Sequence, residues 1–343
     1  MSCKAGLRHH PIRLRKAGLS EELFPQRASI PSVVLLPPDL SAWSVTNTDV
    51  PGVITFEAHA PGPDFVITGL LHGNEFASGH VLERLRRTPP ILTSGRLTLI
   101  LANLEAFKCF HVRQPLAARY LEEDMNRVWS THRLRGSETS HELRRAREIE
   151  PFIRRADLLL DLHSTLWPSE PFFIAPHVKR SVDFAAGLAS AEGLPSAVVS
   201  DLGHQGGARL IEYDRFAATV GAGRGCLLEA GQHWLPETLQ IMEQTVEVFL
   251  QNIEGLHLHA QTGGPQQAAH SFFVTDNVVA RSADFAFTQL WEGGTTIPHA
   301  GTVIAHDGRD VICTPYDDCI LIVPNHRPRF GQLAVRLARR TAW

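Results

Sequence analysis

The chain of 343 residues has no apolar run near the ~18–20 residues that a membrane-spanning helix needs, so no membrane partner is expected. It has no surplus of either charge. Against 33 Lys+Arg stand 36 Asp+Glu, a formal net charge of −3, which argues against a dedicated nucleic-acid binder. Cysteine is scarce. Cys3, Cys109, Cys226, Cys313 and Cys319 are odd in number and form no C-x-x-C pair, so the expectation is reduced thiols in a cytoplasmic protein. The charged fraction of 20% is too low, and the hydrophobic 43% too high, for a disordered chain. No fixed-period repeat and no low-complexity tract is visible. The start is basic, with Lys4, Arg8, Arg13, Arg15 and Lys16 before the first acid at Glu21, but it lacks the apolar core of a secretory signal. It is faintly like an organelle transit peptide and reads better as a solvated tail or an edge-covering arm.

What is present is an alternation of strand-like and helix-like segments from about residue 50 to 255. Phe65–Leu71 is a near-continuous apolar run, as in a strand buried on both faces. Val81, Leu82 and Leu85 then share one side of a helix. Arg96–Leu101, Leu158–Leu162 and Cys226–Leu228 read as further strands. Residues 139–156 predict an amphipathic helix with Leu143, Ala146, Ile149, Phe152 and Ile153 inward, and Pro236 opens another that runs to about Ile253. Strands alternating with helices predict an α/β fold, a mostly parallel mixed sheet flanked by helices. Residues 257–267 have linker composition. Beyond them, Trp291-Glu292-Gly293-Gly294 and Asp307-Gly308 mark turns, and Cys319–Val323 is a strand ended by Pro324. The expected domains are an N-terminal extension and leading strand over 1–50, a catalytic domain over 51–257 and a small C-terminal β domain over 258–343.

Most of the 18 histidines must be solvated or packed imidazoles. Two differ, because each directly follows a buried strand. His72 ends one run and is followed by Gly73, Asn74 and Glu75; His163 ends the run at Leu158–Leu162. Open parallel sheets bind ligands beyond the carboxyl ends of their strands. A tight turn at 72–75 can bring imidazole and carboxylate together, and His163 adds a second imidazole from another strand. Two imidazoles and one carboxylate make a catalytic zinc shell with a fourth position for water. Neither H-E-x-x-H nor H-x-x-E-H is present: Leu143, Arg144 and Arg145 follow His141-Glu142, and Phe76 follows Glu75.

Five motifs occur in order: Ile67-Thr68-Gly69-Leu70-Leu71-His72-Gly73-Asn74-Glu75; Ala102-Asn103-Leu104-Glu105-Ala106; Arg119-Tyr120-Leu121-Glu122-Glu123-Asp124-Met125-Asn126-Arg127; Asp161-Leu162-His163-Ser164; and Leu228-Glu229-Ala230-Gly231. This series resembles the succinylglutamate desuccinylase/aspartoacylase family, relatives of the zinc carboxypeptidases. Gly301–Gly308 through Val323-Pro324-Asn325 resembles that family's C-terminal β domain, so the likeness covers most of the chain; the first ~50 residues have no counterpart. The resemblance implies a zinc carboxypeptidase-like fold and one Zn2+ per chain, held by His72, Glu75 and His163. It implies Asp124 as the acceptor that fixes the His72 tautomer, Glu229 as general base and later acid, and Arg119 as the cation that polarises the scissile carbonyl. Asn126 and Arg127 would grip the substrate carboxylate.

Taken singly, Glu229 reads as a carboxylate ending a strand, Arg119 and Arg127 as surface cations, and Asp124 as a cap or turn residue. The metal motif is what gives them these roles. The chain departs from the family pattern after Glu229, where Ala230-Gly231-Gln232-His233-Trp234 stands. A second substrate-side arginine has no clear equivalent, with Arg209, Arg215 and Arg224 as candidates; Tyr316 of the C-terminal domain is a separate, weaker candidate to reach the site. The loops at His204, Gly206-Gly207 and His233-Trp234 are expected to pack rather than to touch substrate. The implied function is removal of the acyl group from a small N-acyl amino acid. A carboxypeptidase acting on peptide C-termini and a catalytically silent metal- or ligand-binding protein are the rivals. A homo-oligomer is compatible with the sequence.

Overall fold

The computed structural model describes residues 28–255 (backbone only at 252–255) and 266–342, with the backbone of Arg15 and Lys16. Most of the expected 257–267 linker and most of the basic N-terminus, Cys3 included, therefore lie outside the described residues. In chain order the strands and helices begin β1 (Arg15–Lys16), β2 (Val53–Glu57), β3 (Ala60–Gly69), α1 (Ala77–Arg87), β4 (Ser94–Leu101) and α2 (Leu104–Lys108). There follow α3 (Thr131–Arg135), α4 (His141–Arg155), β5 (Leu158–Thr165), β6 (Phe172–Pro176), α5 (Lys179–Ala189) and β7 (Ala197–Asp201). Then come α6 (Asp214–Ala217), β8 (Arg224–Gln232), α7 (Pro236–Gly255) and β9 (His270–Val279). The last strands are β10 (Ala286–Phe287), β11 (Thr296–Ile297), β12 (Val303–Asp307), β13 (Asp310–Cys313), β14 (Cys319–Ile322) and β15 (Leu333–Thr341).

The described residues divide into two units, one of 31–255 and 266–273 with 341–342, the other of 15–16 and 28–30 with 274–340. In the larger unit the strand order is β9-β7-β6-β8-β5-β3-β4-β2. Its centre, β4-β3-β5-β8, is parallel throughout. The antiparallel pairs are β2 on β4 and β6 on β8, so the sheet is mixed. All eight residues of β5 are buried, which explains its unbroken apolar start. Helices α5 and α7 pack on β8, and α1 lies against α7. Val81, Leu82 and Leu85 of α1 are buried as their spacing predicts.

Several strands escape the pattern reading, among them three on the larger unit's sheet. β2, β6 and β7 are five residues each, too short for their apolar content to stand out from a loop or a helix turn. The helix predicted over 139–156 runs from His141, capped by the Ser140 hydroxyl, which accepts the Leu143 N–H at 2.9 Å. Phe152 is only half-buried, lying under the Arg155 guanidinium at 5.0 Å, while Glu142 and Glu150 of the same helix are buried.

In the smaller unit, β1-β13-β12-β10 form an antiparallel sheet. Arg15 and Lys16 thus pair with the edge of β13. β14 pairs antiparallel with β11 and β15. Phe285, Phe287, Ile304, Leu321, Val335 and Leu337 share its core. The Tyr316 hydroxyl pairs with that of Thr275 at 2.5 Å within this unit.

Candidate active site

β3 ends at Gly69, and Leu70 follows with φ of 56°, a left-handed conformation costly for a branched side chain. The chain then closes a turn in which the Glu75 N–H donates to the His72 carbonyl at 3.1 Å, and α1 begins at Ala77. That turn sets His72 Nδ1 2.7 Å from Glu75 Oε1. His163, near the end of β5, points its own Nδ1 at Glu75 Oε2, 3.0 Å away. The three ligand atoms lie within 4.8 Å of one another and all three side chains are buried, so they could hold a metal ion.

The far nitrogens decide which lone pairs face inward. His72 Nε2 lies 2.8 Å from Asp124 Oδ1, and His163 Nε2 lies 3.0 Å from Asp161 Oδ2. Each aspartate can accept the Nε2 proton, so that with a cation bound both Nδ1 lone pairs would be free to face it. Arg119 Nη2 is 2.9 Å from His72 Nε2, but both atoms carry hydrogen. The acceptor they share is Asp124, whose Oδ2 takes the Arg119 donation at 3.0 Å. Asp161 is a residue that motif reading misses as a participant. Its signal was the Asp-x-His alternation, which puts Asp161 and His163 on one face of a strand. Thr68 Oγ1 donates to its other oxygen at 2.6 Å.

Burial opposes ionisation of Glu75, yet the neighbouring His72 and His163 hold its carboxyl well below the ordinary glutamate range. Asp124 is likewise held low by His72, Arg119 and Arg127 despite its burial. Burial alone would depress His163, but Asp161 and Glu75 raise it well above the usual imidazole range. Two imidazoles around an ionised carboxylate, with no thiolate, suit a divalent cation such as zinc.

Glu229 enters from β8. It is the register partner of His163 on the neighbouring parallel strand, so both side chains leave the same face of the sheet. The Arg119 guanidinium lies near enough for Glu229 to help hold its charge.

Residues 109–130 contain no strand and no helix longer than a turn, yet they supply the remaining polar groups. Arg119 Nη1 donates to Glu75 Oε1 at 3.2 Å. Asp124 caps the short 3-10 turn Met125–Arg127, accepting the Asn126 N–H at 2.9 Å. Asn126 Oδ1 accepts the Leu210 N–H at 2.8 Å, which ties this segment to the 202–210 loop. Arg127 Nη1 donates to the Asn126 carbonyl at 2.6 Å, and its Nη2 lies 3.9 Å from Asp124. Gly206 and Gly207 pack beside Arg127, with the Gly206 N–H donating to His204 Nδ1 at 2.9 Å.

A second residue missed in the sequence holds this segment in place. The buried Glu142 carboxylate accepts three successive backbone N–H groups, from Leu121 at 2.6 Å, Glu122 at 3.1 Å and Glu123 at 3.2 Å. Asn103 Nδ2 adds a fourth bond at 3.2 Å. Glu123 in turn receives Arg133 at 2.6 and 3.0 Å and the Ser140 hydroxyl. Gly73 makes the remaining seam. Its N–H donates to the Arg119 carbonyl at 3.1 Å, and a Cβ there would stand 2.4 Å from the Phe107 nitrogen and 2.6 Å from the Ala118 oxygen.

The candidate second arginines are engaged elsewhere. Arg209 is buried between Asp201 and Glu212. Arg215 reaches Asp157 at 2.8 Å and the Ala156 carbonyl at 2.6 Å. Arg224 opens β8, at the strand end opposite the site. His233, expected to pack, is buried but sits at the centre. Its Nδ1 lies 2.7 Å from Ser164 Oγ and its Nε2 4.0 Å from Glu75 Oε1. Burial pushes this imidazole down to about 4, against the pull of Glu75.

The fold recurs in solved proteins. A succinylglutamate desuccinylase from Vibrio parahaemolyticus superposes with a TM-score of 0.64 at 19% identity, over 85% of this chain and 87% of that one. One from Chromobacterium violaceum gives 0.61 at 21% identity, over 86% and 90%. An aspartoacylase family protein from Mesorhizobium loti gives 0.56 at 18%, over 86% and 97%. No curated protein sequence matches the chain significantly. The model of the succinylglutamate desuccinylase/aspartoacylase catalytic domain matches residues 61–254, which include all the site residues described above. With more than half of its length matched by that model, the chain belongs to the succinylglutamate desuccinylase/aspartoacylase family, whose named activities are hydrolytic.

Proposed function

We propose that the protein is a zinc-dependent amidohydrolase that removes the acyl group from an N-acyl amino acid. The observation that carries this reading is the convergence of two Nδ1 atoms and the Glu75 carboxylate, with each far nitrogen beside its own aspartate. His72, Glu75 and His163 would hold the ion, and Asp124 and Asp161 would keep the imidazoles in the ligating tautomer. When bound, zinc supplies Lewis-acid chemistry and makes water acidic enough, with a pKa of about 7, to be deprotonated near neutrality.

The chain's own groups do the rest. Glu229 takes a proton from the attacking water and delivers it to the amide nitrogen as the C–N bond breaks, so that amide and water become acid and amine. Arg119, a permanent cation already oriented by Glu75 and Asp124, stabilises the charge that gathers on the carbonyl oxygen. Arg127 and the Asn126 carboxamide hold the free carboxylate of the amino acid. The Asn126 oxygen is committed to Leu210, which leaves its NH2 group to donate.

The test is metal analysis of the purified protein with a panel of N-acyl amino acids and, beside them, short peptides. One zinc per chain, and hydrolysis of N-acyl amino acids that a chelator abolishes, is the expected result. Full metal loading without turnover would overturn the reading. Preferred cleavage of peptide C-termini would replace it with a carboxypeptidase.

A further inference from the structure

The mechanism above leaves one central side chain without a task. His233 follows Glu229 by four residues, just past the end of β8, and its backbone N–H donates to the Thr165 carbonyl at 2.7 Å. This bond fixes where the ring begins. The ring is 2% exposed and lies against Trp234. Nδ1 meets the Ser164 hydroxyl at 2.7 Å. Nε2 makes no hydrogen bond among the described residues and lies 4.0 Å from Glu75 Oε1. Ser164 also donates its backbone N–H to Glu75 Oε2 at 3.1 Å, so the serine, the imidazole and the Glu75 carboxylate form one local group.

The direction of the Ser164–His233 bond follows from charge. If Nδ1 carried the proton, the bare lone pair of Nε2 would face a carboxylate oxygen at 4.0 Å. With Ser164 donating to Nδ1, Nε2 carries the proton and turns an N–H toward that negative charge instead. An unpaired donor beside an ionised carboxylate, Arg119 and two ligating imidazoles is placed for an acceptor that arrives with the substrate.

We propose that Ser164 fixes His233 as the Nε2–H tautomer, and that this N–H hydrogen-bonds the oxygen of the scissile carbonyl, sharing with Arg119 the charge that develops there. The inference rests on the amidohydrolase reading. His233 is then a catalytic residue and Ser164 a positioning residue.

The test uses the zinc-loaded full chain and an N-acyl amino acid that the wild type hydrolyses. His233→Ala should lower kcat about 10²–10³-fold, the scale of one lost oxyanion donor, with KM and zinc content near wild type. His233→Gln, whose side-chain N–H can occupy the Nε2 position, should recover at least about tenfold of that loss. Ser164→Ala should fall between the two. A readout independent of turnover is the 15N shift of the His233 ring in zinc-free and zinc-loaded protein, expected to show Nε2 protonated and to change in Ser164→Ala. Unchanged kcat in His233→Ala, a Gln variant no better than Ala, zinc lost in step with activity, or a ring protonated at Nδ1 would each overturn the proposal while leaving the amidohydrolase reading in place. A wild type that cleaves no N-acyl amino acid would instead overturn that reading, and this one with it.

Discussion

Glu75, Asp161, His163 and Glu229 are held by strand register and by one tight turn, whereas Arg119, Asp124, Asn126 and Arg127 ride on a stretch with almost no regular structure. Both groups meet at His72, which faces Glu75 with one nitrogen and Asp124 with the other. The strand-borne half is fixed by backbone hydrogen bonds that any parallel sheet would make. The irregular half is fixed by side chains reaching it from outside, chiefly Glu142, Glu123 and the Asn126–Leu210 bond. The comparison teaches that geometry here is divided: metal affinity should belong to the first half, which also carries the base Glu229, while orientation of the carbonyl and of the substrate carboxylate should belong to the second.

Five substitutions test that division, in order of expected effect. Glu229→Ala should keep its zinc and lose roughly 10²–10⁴-fold in rate; full activity on the true substrate would show that the base is another group. Asp161→Asn attacks the strand-borne half through the His163 tautomer, and zinc affinity should weaken about 10–100-fold. Titration with a competing chelator measures this, and an unchanged affinity would remove Asp161 from the metal centre. Glu142→Gln attacks the irregular half alone. Its amide hydrogens would oppose the backbone donors of 121–123, so kcat/KM should fall about tenfold or more, as loss of positioning does, with zinc affinity unmoved. A loss of zinc in step with activity would dissolve the distinction between the halves.

Arg127→Ala should chiefly raise KM, by about tenfold, because a carboxylate grip acts in ground and transition states alike; unchanged KM and kcat would take Arg127 out of the site. Glu83→Gln is a control outside both halves. Its carboxylate accepts the Trp43 indole N–H at 2.8 Å and is held below its ordinary value first by Arg86. The contribution of a depressed carboxyl is complete above the ordinary glutamate value and is lost as pH falls through the folded one. Thermal melts should therefore show the variant less stable by about 1 kcal/mol at pH 7, with a gap that narrows below about pH 4.5, and unaltered activity. A gap that widened in acid would reverse the sign argued for Glu83.

The same division accounts for what could be read from the sequence. His72, Glu75 and His163 stood out because long apolar runs end beside them, and parallel strands bring their carboxyl ends to one rim. Asp161 was readable in principle by alternation along β5. Glu142 was not. It stands in a helix beside a histidine and suggests only a failed zinc motif, and its partners are backbone amides about twenty residues away that no side-chain pattern encodes. His233 was named and assigned to packing, since nothing local tells a packed imidazole from one whose far nitrogen faces a site. The short strands β2, β6 and β7 were hidden for want of length, while the order of the strands followed none of the local signals.

Gly73 joins the two halves through a close main-chain approach. The turn that carries the ligands passes the chain leading to Arg119 with less clearance than a single methyl group requires, and the obstructing atoms are main-chain ones that cannot swing aside. A drift of the imidazole therefore drags the guanidinium with it. Neither the donor set nor the cation beside it can be re-aimed for a different ligand without moving the other.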